Sequence, residues 1–135
     1  MVFVVAVLTI AFVGFGATLA LLPDRVRVLG HGDLAVGVAA GVFPATAIAG
    51  RLVSGRLIGL IGARTALAWG IAFTAIGSGM LTLPHLGGLL GARAVQGLGD
   101  GLLYTAAAAA ALELVPNERR GQALGWLSAG LWTGL

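Results

Sequence analysis

Residues 93–101 read RAVQGLGDG, and the stretch lies within a long apolar run. It holds an arginine, a glutamine, an aspartate and three glycines. In water, alternating glycines of this kind suggest a phosphate-binding loop, which needs a strand before it and a helix after it. In hydrocarbon, the glycines become positions where helices approach closely, and both charges are costly unless they meet a cavity or a partner. Composition decides between the two. The 135 residues are 59% hydrophobic and 10% charged, with a mean hydropathy of +1.02, whereas soluble domains carry about 25% charged residues. No polar flank or strand–helix context surrounds the stretch, and the phosphate-loop reading falls.

The same composition closes other classes of function. The chain has no Cys, so it has neither a disulfide framework nor a thiolate metal site. His31 and His85 stand far apart without neighbouring ligands, and no metal site is expected. The net charge is +3 and every basic residue is Arg. Nucleic-acid binding needs a basic face or stripe, but these arginines lie between or near apolar runs. No Ser/His/Asp set or pair of carboxylates suggests catalysis, and the chain reads as a non-enzyme.

A bilayer core needs about 20 apolar residues in a helix, and the chain offers such runs repeatedly. They are residues 1–22, ended by Pro23 and Asp24; 34–58, after the polar stretch DRVRVLGHGD; 65–83, ended by Pro84 and His85; 86–115; and 121–135. The fold class is therefore all-α, a polytopic transmembrane bundle. The first run lacks the basic start of a signal peptide and is long for one. It reads as a transmembrane helix with little cytoplasmic lead-in, and Met1 is expected not to be the natural start. The last run rises only about 22 Å, too little for a comfortable crossing, so the chain reads as a fragment of a longer protein.

Arginine placement sets orientation. Arg25 and Arg27 follow the first span; Arg51, Arg56 and Arg64 lie around the second loop; Arg119 and Arg120 lie in the fourth. Placing the second and fourth loops in the cytoplasm puts most arginines inside, with the N-terminus cytoplasmic. Small residues recur four apart at Gly37/Gly41, Gly55/Gly59, Gly97/Gly101, Gly121/Gly125 and Gly130/Gly134, and Ala106–Ala111 are all alanine. Together they suggest a tightly packed bundle. Thr9, Thr18, Thr46, Thr74 and Ser78 are expected to bond carbonyls of their own helices. Trp69 and Trp126 sit near span boundaries.

Three segments carry a resemblance: GRLIGLIGARTAL (55–67), LLGARAVQGLGDG (89–101) and LELVPNERRGQALGWLSAGLWTGL (112–135). Together they resemble the N-terminal half of a major facilitator superfamily transporter, helices one to five, most like bacterial drug and sugar efflux permeases. The family's loop between helices two and three has Gly, three residues, Asp, a basic residue, any residue, Gly and two basic residues. Gly55, Gly62 and Arg64 match it, while Gly59, Leu60 and Ala63 replace the Asp and two basic residues. Gly62 allows the tight reversal and Arg64 holds the loop inside. The family Asp is thought to latch the cytoplasmic side, so Gly59 implies a weaker latch. The fourth-helix pattern of Arg, two residues, Gln-Gly, any residue, Gly is met by Arg93, Gln96, Gly97 and Gly99. Gly125 and Gly134 fit the first spacing of the family's antiporter pattern in helix five, which leans towards export.

On a helical wheel at about 100° per residue, Arg93, Gln96, Asp100 and Tyr104 fall on one stripe within about 80°. Arg93 and Asp100 are about 10 Å apart in rise, so neither reaches the other by spacing alone, and Gln96 is placed to bridge to Asp100. The stripe brackets the bilayer midplane, where transporters hold substrate and coupling ions. Arg93 and Asp100 are therefore expected to line a central cavity, Asp100 to carry a proton, and Gln96 and Tyr104 to bind polar groups of substrate. The resemblance implies proton-coupled efflux of a drug- or sugar-like small molecule by alternating access, without a cofactor beyond the proton gradient. Its partners are the substrate, the bilayer and the other half of the transporter. Uptake by symport, or a truncated protein that does not transport, are the alternatives. The Lys-free, Ala-, Gly-, Val- and Arg-rich composition points to a bacterium of high G+C content, and so to the inner membrane.

Overall fold

The computed structural model describes residues 2–134; Met1 and Leu135, the outer limits of the expected first and last spans, lie outside them. Five helices follow one another: α1 (Val2–Val28), α2 (Asp33–Ile61), α3 (Ala63–Met80), α4 (Leu86–Glu113) and α5 (Arg120–Gly134), with a 3-10 turn at Asn117–Arg119 before the last. No strand occurs among the described residues, and the all-α class stands. α1 and α2 are long and apolar enough to cross a membrane.

Several helix ends differ from those read in the sequence. α1 runs through Pro23 to Val28 instead of stopping there. Proline removes one hydrogen bond, but Leu22 and Val26 on either side of it are buried with Ala39 of α2 and Leu89 of α4. That packing, in surroundings where freed backbone groups find no water, holds the helix together. α1 then ends in a Schellman cap. Gly30 N–H donates to Arg27 O at 2.9 Å and His31 N–H to Val26 O at 3.2 Å, with Gly30 at φ +81°. α3 stops at Met80, short of Pro84, and Arg25 of α1 donates from Nη2 to Thr82 O at 3.0 Å and Leu83 O at 3.4 Å. This clasp ties the first and third connections together at one end of the bundle.

At the other end, α2 and α3 are separated by Gly62 alone. Its φ of +82° is a region that side chains avoid, and its N–H caps Ile58 O at 2.8 Å. The reversal assigned to Gly62 from the sequence is thus where the chain turns. α4 lies between α2 and α3, which barely touch each other, while α1 packs mainly on α5. The larger apolar core joins Val4, Leu8, Phe12 and Phe15 of α1 to Leu67, Leu103, Ala107 and Leu127. α4 is central because its small residues admit neighbours on two sides, and among the described residues it carries more buried positions than any other helix.

Candidate functional site

The glycines of the fourth helix divide their work between two partners. A Cβ at Gly97 would collide with Thr46 and the Phe43 carbonyl of α2, and one at Gly101 would lie 2.5 Å from Ala47 O and 2.8 Å from Arg51 N. A Cβ at Gly99 would instead lie 2.8 Å from Thr74 N of α3. α2 answers with Gly50, whose added Cβ would sit 3.3 Å from the Leu98 Cα, and α3 with Gly70 and Gly77, against Leu103 and Gln96. Backbone meets backbone on both sides of α4, as small residues permit in membranes. Polar side chains that start on α4 are thereby brought within reach of α2 and α3.

They form two separate clusters. In the first, Arg93 and Gln96 are buried almost completely. Arg93 donates from Nε to Ala39 O at 3.4 Å and from Nη1 to Gln96 Oε1 at 3.2 Å, and its guanidinium lies 4.6 Å from the Phe43 ring centre. Gln96 Nε2 donates to Ser78 Oγ of α3 at 3.1 Å. No carboxylate pairs with Arg93 among the described residues. Its charge is offset by a carbonyl, an amide and an aromatic face, and a desolvated cation–π contact contributes about 2 kcal/mol. This cluster stitches α2, α4 and α3 together.

In the second cluster, Arg51 of α2 donates from Nη2 to Asp100 Oδ2 at 3.2 Å. The Asp100 side chain is 3% exposed and that of Arg51 48%. The Arg51 guanidinium stands 5.5 Å from the centre of the Tyr104 ring. Asp100 Oδ1 is buried and has no hydrogen-bond partner among the described residues. Ser54, one turn along α2, donates to Gly50 O at 2.6 Å and Gly101 O at 3.2 Å, closing the contact from below.

Two expectations are corrected by this geometry. Gln96 does not bridge to Asp100, because its carbonyl end is held by Arg93 and its amide end by Ser78. The stripe also does not line one open cavity in this bundle: Arg93 and Gln96 are enclosed between α2 and α3, and Asp100 is enclosed beside Arg51, whose side chain is half exposed. Arg51 itself was read as part of the arginine-rich region around the second loop. It lies ten residues before the end of α2 at Ile61, about 15 Å along the axis. That depth was available from the distance to Gly62, whereas its partner was not.

A family model described as Major Facilitator Superfamily matches residues 4–135. The chain belongs to the major facilitator superfamily. It is thus a member of a family of membrane transporters, and a search of curated proteins finds no match. The loop motif of the superfamily member falls where the helices reverse: Gly62 makes the turn, Arg64 is exposed beside it, and Gly55 and Gly59 have no neighbour within 4 Å of an added Cβ. Arg64 lines a groove with Glu113 and Leu114, which puts the α2–α3 and α4–α5 connections at the same end. Glu118, Arg119 and Arg120 are exposed there too. Gly125 of the fifth-helix motif also meets nothing within 4 Å, and Gly134 closes α5. Thr9, Thr18, Thr46 and Ser78 bond carbonyls of their own helices, but Thr74 Oγ1 is buried without a partner.

Proposed function

We propose that the protein takes part in proton-coupled export of a small molecule by alternating access, with Asp100 as the group that carries the proton. The single observation behind this reading is the carboxyl of Asp100: enclosed in an apolar helix bundle, tied to Arg51 through one oxygen and without a partner at the other. Buried carboxylates in membranes are expensive and mark ion and proton routes. A buried acceptor left open costs about 1–3 kcal/mol, a cost that a fold retains where the group has work to do. Arg93 and Gln96 hold the helices around Asp100, while Tyr104 and Arg51 flank its approach. Family membership supports transport as such; the lean towards export comes from the Gly125/Gly134 spacing. The arginines around Gly62 and before α5 support a cytoplasmic N-terminus in a bacterial inner membrane.

Everted membrane vesicles from cells producing the protein provide the test. A pH gradient is established and read through quenching of an acridine dye, and then a drug-like dye or a disaccharide is added. A transported probe should draw protons down the gradient and relieve quenching. Asp100→Asn protein, inserted to the same level, should give no such signal. Retained coupling in that variant overturns the assignment of the proton to Asp100.

A further inference from the structure

Two arginines stand at the end of the bundle that carries the Gly30 cap, and their charges are met differently. Arg27 lies 3.9 Å from Asp24 and 3.1 Å from Asp33. Arg25 has no carboxylate partner among the described residues. It is nonetheless fixed in place, because Nη2 donates to Thr82 O and Leu83 O. Of its five N–H donors, those on Nε and Nη1 have no partner among the described residues. The remaining arginines differ from it. Arg51 is paired with Asp100 and Arg93 is enclosed. Arg56, Arg64, Arg119 and Arg120 are exposed, whereas Arg25 is partly buried and held by two carbonyls.

Arg25 also closes one end of an apolar groove of about 260 Å³, lined by Ala17, Thr18, Leu21 and Leu22 of α1, Leu81 after α3 and Leu89 of α4. Leu22 and Leu89 are buried beneath it, while Leu21 at its side is 65% exposed. The Thr18 hydroxyl is taken by Gly14 O at 2.8 Å, so the groove suits hydrocarbon along its length. It runs about 12 Å along α1 from Ala17 to Arg25, which lies within the last turn before α1 stops at Val28. In a bilayer, that is the level where chains give way to headgroups and where arginine meets lipid phosphate. Leu89 is about 16 Å along α4 from Asp100, so this groove is separate from the buried ion pair.

We infer that the groove holds one anionic phospholipid from the leaflet at this end of the bundle. Its phosphate sits on the free donors of Arg25, and an acyl chain lies against Leu21, Leu22 and Leu89. A guanidinium is a planar fork that fits two phosphate oxygens. The carbonyls of Thr82 and Leu83 have already set its orientation, so little side-chain freedom is lost on binding. The occupant is a lipid and not a free anion, because the charge ends a surface that only hydrocarbon satisfies. A choline headgroup would bring a second cation to one that is already unpaired, so a net negative headgroup is selected. The bound lipid bridges α1, the α3–α4 connection and the start of α4, and so reinforces the Arg25 clasp.

The test is native mass spectrometry of the protein released from nanodiscs made of phosphatidylglycerol and phosphatidylcholine in equal parts. One phosphatidylglycerol should be retained per chain, in preference to phosphatidylcholine by about fivefold, as one arginine beside an anionic headgroup provides. Arg25→Gln should remove the preference. That change also loosens the clasp, so Ala17→Phe supplies a second variant: position 17 is exposed, and the ring fills the groove while leaving Arg25 and its carbonyls in place. It should lose the retained lipid. Arg27→Gln, at the same end but on a paired arginine, should keep it. Equal retention of the two lipids, or unchanged retention in Arg25→Gln or Ala17→Phe, overturns the proposal. Equal losses in Arg27→Gln and Arg25→Gln do so too, since the lipid would then follow the net charge of this end. Displacement of the lipid by soluble glycerol phosphate would show that an anion alone suffices, and is equally fatal. A lipid-free dimer that Ala17→Phe dissociates would give the groove to a second copy of the chain instead.

Discussion

The two buried polar clusters on α4 differ by one residue that is not on α4. Arg93 has no carboxylate and makes do with the Ala39 carbonyl, Gln96 and the Phe43 ring. Asp100 has Arg51. The two charges of the pair are not equally sheltered, so their removal should not cost the same. Arg51→Gln leaves an enclosed carboxylate with neither oxygen paired to a charge, while Asp100→Asn leaves a cation that water can reach. The first should destabilise the bundle more than the second by roughly 1–3 kcal/mol, the usual cost of stranding a buried acceptor. Unfolding midpoints in mixed detergent micelles would check this, and equal losses would mean that Asp100 is solvated. The chemistry of these residues was legible in the sequence, as charges in an apolar run. Which charge answers which was not, because Gln96 lies at bridging distance from Asp100 on the helix yet is claimed from both sides by Arg93 and Ser78.

At the scale of the helix, glycine spacing alone does not separate packing from idle positions. Gly97, Gly99 and Gly101 are pressed against backbone on two sides, whereas Gly121 and Gly125, with the same spacing as Gly97 and Gly101, meet nothing within 4 Å. Gly101→Ala should force α2 away from α4 at a cost of about 1–3 kcal/mol, as overpacking usually does. It should also part Arg51 from Asp100. Gly125→Ala should be neutral or stabilising by up to about 1 kcal/mol, through helix propensity alone. Thermal unfolding of the two variants in detergent would tell them apart, and similar behaviour would show that the α2–α4 contact is soft. The ends of the helices follow the same logic. Gly62 was legible as a turn because a one-residue reversal demands its positive φ. Pro23 was misread as a stop because the apolar contacts that carry α1 past it, through Leu22 and Val26, come from α2 and α4.

For the molecule as a whole, two ends are distinguished by their connections. One carries the Gly30 cap, His31 and the Arg25 clasp; the other carries Gly62, Arg64 and the turn through Asn117. With Arg51 now inside the bundle, Arg56, Arg64, Arg119 and Arg120 weigh against Arg25 and Arg27, the same sense as before. The sequence contains no Cys, so single cysteines make clean reporters. In intact cells, His31→Cys should react with an impermeant maleimide, and Asn117→Cys only after permeabilisation; both sites are exposed. The reverse pattern would invert the topology and the direction of the proposed proton movement.

Composition and periodicity by themselves determined that this chain is helical, that it belongs in a membrane, and that its fourth helix carries charges where charges are costly. These follow from local facts, since twenty apolar residues have few other uses and a helical wheel needs only spacing. Helix order and the turn at Gly62 were within reach for the same reason. Only the tertiary structure decided that α4 sits between α2 and α3, that Arg93 and Gln96 are enclosed, and that Arg51 is the open partner of Asp100. Those outcomes depend on how closely two helices approach, which the contact of Gly50 with Gly101 sets. A sequence states that both residues are small, but not that they meet.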